Sequence, residues 1–371
     1  MKKLEMLQKW KKEILFIALQ HSIADLEQYI QCHIQQILQN VYCDIDVILK
    51  NIVESQNDQK IAYMTFHLMR KDILDGIYQY RVFLYDNDWY IKRGKQVATL
   101  DSSFIYQYYD AFCKEVFQKS NQYNHYFSIP EIEMFIMQNL EVFHYYFVEV
   151  LRYVMHGISE SDTYYKIKKE QMFEIQSGEY YEPCDKIYQE QTEKDYGKWK
   201  RELSQNVVWC FEDLQGIDCN GMTAMEGDFR YTNFKRSDLQ YINMQNSILM
   251  GARFQYCNMM YADLKQTVLN YACFDYANLE CACFDNATTM IENILYGMVK
   301  VKPAFYGISF QKSNLKNASF KYAVLKYADF READLTNVDF TDAVLEQCLF
   351  SKKHMIQIHL SEQQKKQIKI V

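Results

Sequence analysis

Proline is nearly absent from this sequence, 3 residues in 371. Beside an aromatic content of 16%, so little proline excludes a disordered or linker-like chain and suits packed, ordered structure. There is no CxxC pair. The eleven cysteines are odd in number and scattered, which excludes a disulfide framework. With no signal peptide in view, they read as reduced, mostly buried small residues of a cytosolic protein. Nor is there a basic excess: 41 basic against 48 acidic side chains give a net charge of −7. A generally basic, direct nucleic-acid binder is therefore not expected. Long apolar runs are missing too. Ile14–Leu19, the apolar stretch behind the basic N-terminus, is far too short for a secretory or membrane segment and reads as part of an amphipathic helix.

What is there is a period of five. Large apolar residues stand at every fifth position from Phe229 to Phe284 and again from Phe305 to Phe350, 22 positions without a miss in either series. Two places before them sit mostly small side chains, among them Ala262, Thr267, Ala272, Ala277, Ala282, Ser313, Ala318, Ala323, Ala328, Ala333 and Ala343; Ile242, Ile308 and Val338 are bulkier. A helix needs a spacing near 3.6 and a strand needs 2, so neither buries this series on one face. A coil with a corner every five residues does. The small and the large residue, two apart on extended backbone, both point inward, and the next two residues turn the corner into solvent. Phe234, Phe254 and Phe274 stand twenty apart, as do Phe310, Phe330 and Phe350. Four pentads therefore close one coil, and the tube is square, with coils stacked at about 4.8 Å.

The segments "YADLK", "YANLE", "YADFR" and "EADLT" resemble the A-(D/N)-L-x-x motif of the pentapeptide-repeat proteins. The resemblance covers about 227–350. It implies an all-β, right-handed quadrilateral β-helix, a non-catalytic role and, in the best-understood members, mimicry of DNA toward gyrase or a related topoisomerase.

Phe284 and Phe305 are 21 apart, and Lys300 falls on what would be an inward site. An irregular coil is expected over 285–304, with a bulge or projecting loop between Thr288 and Pro303 and a regular restart at Pro303. After Phe350, Ser361 with Gln364 three residues on forms a capping-box pattern. The segment 351–371 is expected to be a helix that caps the last coil, or one that dimerises.

Residues 1–176 lack the fivefold pattern and are expected to form a separate, mostly helical α+β domain. Helical spacing runs through 4–52. The runs 60–70 and 78–94 are strand-like, with Asp86-Asn87-Asp88 as a hairpin turn. Helical spacing resumes from Phe104, including a segment opened by Ser128 with Glu131 and ending before Gly157. The charged stretch 177–211, with Pro183, is expected to link this domain through a helix to repeats spanning 212–350.

No catalytic constellation emerges. His21, Cys32 and His33 do not converge on one metal. Asp86 and Asp88 lack the glycine and later glutamate of a calcium loop. His144 suits a core position, and Cys273, Cys281 and Cys283 suit stacked small sites. GxGxxG, Walker A, HExxH and GxSxG are absent. No cofactor and no metal are expected, nor any membrane. What stacks is tyrosine: Tyr241 one coil from Tyr261, Tyr256 one coil from Tyr276, with Tyr322 and Tyr327 at neighbouring corners of the later block. Such outward tyrosines suit contact with protein or with the chain's own N-terminal half. From Glu212 to Phe350 there are 17 acids and 12 bases, a weak excess for a DNA mimic, and Lys312 and Lys326 lie one coil from Glu332 and Glu346. The expectation is a protein-binding scaffold, monomer or homodimer, of unknown partner; the alternative is a DNA-mimicking modulator of gyrase or topoisomerase.

Overall fold

The computed structural model describes residues 2–89, 91, 94–203, 206–289, 294–296, 299–301 and 307–371. The chain divides into two units, 1–188 with 293–305, and 189–292 with 306–371.

In the first unit, α1 (Lys2–Trp10) passes through one π turn, Lys11–Leu15, into α2 (Phe16–Ser55). Ile23, Leu26, Ile30, Ile37, Val41, Ile45, Ile48 and Ile52 recur at three, four and seven positions and are all buried, so α2 presents one continuous apolar stripe. Then follow β1 (Ile61–Leu68), α3 (Arg70–Leu74), β2 (Gln79–Tyr85), β3 (Lys95–Asp101), α4 (Ser103–Ser120), α5 (Ile129–Met137), α6 (Leu140–Ile158), α7 (Asp162–Tyr165), β4 (Lys169–Glu179) and β5 (Asp185–Gln191). The strands form one sheet in the order β3-β2-β1-β4-β5, with β1 antiparallel to β2 and parallel to β4. Helices α2, α4 and α6 pack on one another and share a core with Met64, Phe66, Tyr80, Val82 and Ile175 of the sheet. The Ser128–Glu131 capping box that opens α5 is present.

The hairpin turn expected at Asp86-Asn87-Asp88 lies between β2 and β3, which pair antiparallel, although the second strand begins only at Lys95. One sequence expectation fails here. The helical linker over 177–211 is largely not a helix: its first part lies in β4 and β5, and only α8 (Tyr196–Glu202) is helical. Over Phe173-Glu174-Ile175 and over Lys186-Ile187-Tyr188-Gln189-Glu190 buried and less buried residues alternate, and that period of two prevailed over the charge.

The second unit is a stack of coils. Parallel bridges occur every five residues from Val208 to Leu349, each to a residue one coil ahead, which makes four bridge columns and a repeat β-helix. Where the bridge residue is Asp or Asn with its side chain turned onto the corner, every backbone N–H of the pentad has a partner. In Asp228–Thr232, the N–H groups of Asp228, Phe229 and Tyr231 donate to Val207, Ile248 and Met250 in adjacent coils at 2.8–2.9 Å, and Thr232 donates to the Phe229 carbonyl at 3.1 Å. The fifth, Arg230 N–H, donates to Asp228 Oδ1 at 3.2 Å. Ten further pentads repeat that side-chain cap, among them those of Asp238, Asn243, Asn314 and Asp339. The Asp or Asn of the motif thus occupies the leftover donor of its own turn. The corner residue, three places beyond each bridge, has φ near +60° whether it is Asn, Gln, Lys or Tyr. This is the third residue of a type II turn.

Inside, Phe234, Phe254, Phe274, Phe310, Phe330 and Phe350 form one stack with ring centroids 4.6–5.3 Å apart. All the small residues named above are buried beside them. Buried Ser237, Ser247 and Ser313 donate to backbone carbonyls.

The ladder also corrects the irregular coil expected over 285–304. Cys273 pairs with Ser309, and Thr288 with Val324, each 36 positions on rather than 20. Sixteen residues therefore leave the coil path after Thr289, and the stack continues as though they were absent. Within them, β6 (Ile294–Tyr296) and β7 (Val299–Val301) pair antiparallel, and β7 runs beside α2 of the first unit. Pro303 and Phe305 lie outside the described residues. The projecting loop expected between Thr288 and Pro303 thus holds, but a 21-residue gap imitates one coil and hid the loop's length.

Both coil ends are closed. At the start, Trp199 of α8 packs with Trp209 and Leu203, and Lys194 pairs with buried Asp213 at 2.9 Å. At the end, β8 (Leu349–Phe350), α9 (His354–Gln357), α10 (Glu362–Gln367) and β9 (Lys369–Ile370) replace the expected single helix. The Ser361–Gln364 capping box forms, and Gln364 Nε2 donates to the Phe340 and Ala343 carbonyls at 2.7 and 2.9 Å. β9 pairs parallel with β8. Among the described residues no helix is long and apolar enough to cross a membrane.

Candidate functional site

The bridge register fixes which outward residues share a column. One corner column runs Gly216, Arg236, Tyr256, Tyr276, Lys312, Glu332; the next along the chain runs Gly221, Tyr241, Tyr261, Cys281, Asn317, Asn337. Tyr241 and Tyr261 stack at 5.0 Å and 4°, Tyr256 and Tyr276 at 4.9 Å and 11°. These four rings are between 46% and 56% exposed. Tyr322 and Tyr327, also exposed, fall in the other two columns, in line with Asn286 and Tyr271, and do not extend either stack.

Between the two tyrosine columns lies a face carrying Asp218, Asp238, Asn258, Asn278, Asn314 and Asp334 in one bridge column. Asn278 Nδ2 donates to Asn258 Oδ1 at 3.3 Å, and Asn314 Nδ2 to Asn278 Oδ1 at 2.9 Å. Such cross-coil bonds hold the side chains in a flat row. Gln240, Met260 and Glu280 form the half-buried second row. The columns differ at their ends. Arg236 lies over Tyr256 at 5.9 Å from the ring centre, and Lys312 over Tyr276 at 5.4 Å. Lys312 Nζ also donates to the Tyr276 hydroxyl at 3.2 Å, and that bond, with Glu332 nearby, raises the lysine's pKa. Sequence reading found the tyrosines but missed both cations. Arg236 was one coil away and findable; Lys312 was visible only once the excursion was known.

The groups weighed for chemistry remain apart. His21 Nδ1 faces Glu115 at 3.2 Å, and His33 faces the Tyr29 carbonyl within its own helix. Asp86 Oδ1 accepts from Asp88 N–H at 2.9 Å, a local turn. His144 is a core residue: Nδ1 lies 2.7 Å from the Tyr80 hydroxyl, which meets the Tyr106 hydroxyl at 2.7 Å. Burial raises both tyrosines well above their ordinary pKa. Burial likewise pushes the Cys273 and Cys283 thiols up, away from reactive thiolate. Among the described residues, no group of His, Cys, Asp and Glu could hold a metal ion. All eleven cysteines are free thiols.

Comparison with known proteins matches a family described as pentapeptide repeats over 228–266, 247–286 and 309–351. A search of curated proteins finds no match. Among solved structures, a pentapeptide repeat protein from the Arabidopsis thaliana thylakoid lumen is 21% identical over 35% of this chain and 72% of its own, with TM-score 0.22. A pentapeptide repeat protein from the cyanobacterium Cyanothece is 17% identical over 39% and 88%, with TM-score 0.18. QnrB1, a plasmid-mediated fluoroquinolone resistance protein, is 12% identical over 44% and 91%, with TM-score 0.26. The family matches cover no part of the first unit, and it is the C-terminal part of this chain, within residues 228–351, that the pentapeptide-repeat family model matches.

Proposed function

We propose that this is a non-catalytic binding protein in which a right-handed, quadrilateral β-helix presents the face between the Tyr241–Tyr261 and Tyr256–Tyr276 columns to a protein partner. One observation carries the reading. At corners that require φ near +60°, where Asn or Gly sits with least strain, the chain places stacked, half-exposed tyrosines. Left-handed backbone costs an ordinary side chain on the order of 1 kcal/mol, and an exposed ring pair recovers part of that only by stacking. Rigid, amphipathic rings bordering a flat row of amides suit protein recognition, because little side-chain entropy is lost when they are covered. Tyr322 and Tyr327, in the other two columns, would serve a separate surface. The N-terminal unit would select the partner.

The test is capture of a partner by the full chain, compared with a variant carrying Tyr241→Ser, Tyr256→Ser, Tyr261→Ser and Tyr276→Ser. Loss of a stoichiometric partner with unchanged melting supports the reading; equal capture by both proteins ends it.

A DNA-mimicking action on gyrase or topoisomerase is the second reading, favoured by the early block, where Glu212 to Asp285 carries 10 acids against 5 bases. The later block weakens it, since Lys312, Lys316, Lys321 and Lys326 each lie beside an acid of the next coil. Gyrase supercoiling left untouched by a large molar excess, with and without a quinolone, would remove this alternative.

A further inference from the structure

The two tyrosine columns are the same device in two states of completion. In one, the stack is closed at both ends by the chain's own cations, Arg236 over Tyr256 and Lys312 over Tyr276. In the other, the position equivalent to Arg236 is Gly221 and the position equivalent to Lys312 is Cys281. A Cβ built on Gly221 meets nothing within 4 Å, and its φ of +67° is the ordinary corner conformation that Arg236 adopts at +58°. Crowding does not explain the glycine, and although φ near +60° favours glycine, Arg236 shows that the same corner accepts a long side chain. It leaves the outer ring face of Tyr241 open, and Tyr241 is the most exposed of the four rings.

We propose that the open face of Tyr241 above Gly221 is a docking site for an arginine side chain of a protein partner, taking the place that Arg236 fills in the neighbouring column. The site deepens the protein-binding reading and rests on it. Arginine is favoured over lysine because its planar, weakly hydrated guanidinium lies flat on a ring. Charge favours it as well. The coils around this position hold twice as many acids as bases, and Asp218, Asp238 and Glu280 line the adjoining face. Asp218 sits on the same coil as Gly221; its Oδ1 accepts from Asn220 N–H at 3.2 Å, and its Oδ2 meets Lys200 at 3.0 Å. Those bonds hold the carboxylate well ordered, and they keep it below its usual pKa range.

The experiment titrates the full chain with a blocked Gly-Gly-Arg-Gly-Gly peptide, following assigned tyrosine ring signals by NMR, beside the same peptide carrying citrulline or lysine. Shifts confined to Tyr241 and Tyr261 are expected, with citrulline about three- to fivefold weaker as loss of a surface cation–π contact implies. Gly221→Arg should abolish them by filling the place internally. Arg236→Gly should create a second responsive pair at Tyr256 and Tyr276, which keeps the proposal testable should Gly221→Arg fold poorly. Equal response to citrulline, no response at Tyr241, or no second site in Arg236→Gly would each overturn it. A partner whose capture needs the tyrosines but ignores Gly221→Arg would overturn the arginine site while leaving the protein-binding reading intact.

Discussion

The coils before the sixteen-residue excursion and those after it share one backbone and spend their side chains differently. After it, the interior is regular: Phe310, Phe330 and Phe350 stack, Phe320 and Phe340 stack opposite them, and the two columns meet edge-to-face at 80–89°. The outside of the same coils is laced by four inter-coil ion pairs, one in each column of the ladder. Before it, Met244, Leu264, Met259 and Leu239 take positions that Phe or Leu hold later, and the outer corners carry tyrosine stacks instead of paired charges. Edge-to-face aromatic pairs contribute about 0.5–1.5 kcal/mol each beyond burial, so the later coils are the stiffer half. On the reading proposed above, the later coils act as a stem with a neutralised surface and the earlier coils as a tip whose surface is left for a partner.

The hardest way to break that division is through the later core. Phe330 touches Phe310, Phe320, Phe340 and Phe350. Phe330→Asp puts a charge where no water or partner reaches it and should cost about 4 kcal/mol or more, unfolding the coils from 309 onward. Phe330→Leu keeps most of the volume and should cost about 1.5 kcal/mol. In the earlier coils Met259→Leu should cost well under that, since it exchanges one buried apolar side chain for another of similar volume. Urea melts with hydrogen exchange would report these values, and equal tolerance of both Phe330 variants would refute the packing.

Next in size are the turn caps, which should not distinguish the two halves at all. Asn243 accepts Gln245 N–H at 3.1 Å in the early block, and Asn314 accepts Lys316 N–H at 3.2 Å in the later one. Asn243→Ala strands one donor at a half-wet surface, for about 1 kcal/mol, and Asn314→Ala, which also removes the bond to Asn278, should cost up to about 2 kcal/mol. A gap of more than twofold between them would mean that the halves differ in backbone as well as in side chains.

That uniform backbone is also why the repeats were legible. Each pentad carries its own role assignment, small, capped, large, turn, turn, so the sequence repeats its evidence twenty times over. Legibility failed where the pattern was imitated or diluted. Trp209, Leu214, Cys219 and Ala224 continue the fivefold series toward the N-terminus and are buried, but Cys219 and Ala224 are too small to announce it. The length of the excursion, though not its place, hid behind a spacing near one coil. In the first unit, β4 and β5 were masked by charge, whereas the capping boxes at Ser128 and Ser361, being purely local, were readable. The tyrosine columns followed from the period, as Arg236 could have; Lys312, which closes the other end of one column, required the three-dimensional register.

Acid should act on carboxylates of opposite sense. Thr341, through its hydroxyl and N–H, and then Lys321 hold Asp339 in the later block below the usual carboxylate range. A depressed carboxyl stabilises the fold above its unfolded value, near 4, and gives that up as pH falls through the folded value. Burial raises Asp275, despite bonds from Ser309 and Gln311, so its contribution is present below the unfolded value and lost as pH rises through the folded one. Melting followed from about pH 5 to about pH 3 should therefore fall less in Asp339→Asn than in the parent, and more in Asp275→Asn. The same slope in all three proteins would remove both carboxyls from the account.

The smallest effect tests whether the ion-pair rungs of the later coils hold the stem together or only neutralise it. Lys326 meets Glu346 at 2.6 Å and Lys316 meets Asp334 at 3.5 Å, both partly exposed. Screened surface pairs contribute below about 1 kcal/mol each, and less at high salt. Lys316→Ala with Lys326→Ala should therefore shift melting by only a degree or two, a shift that fades in about 0.5 M salt. What the double variant should change is the surface, because it unmasks Asp334 and Glu346 and gives the stem an acid excess like that of the early coils. If the rungs are neutralising devices, the variant will bind a basic peptide along the later coils that the parent does not. A large loss of stability without new binding would instead make them structural, and the distinction between stem and tip would then rest on the aromatic core alone.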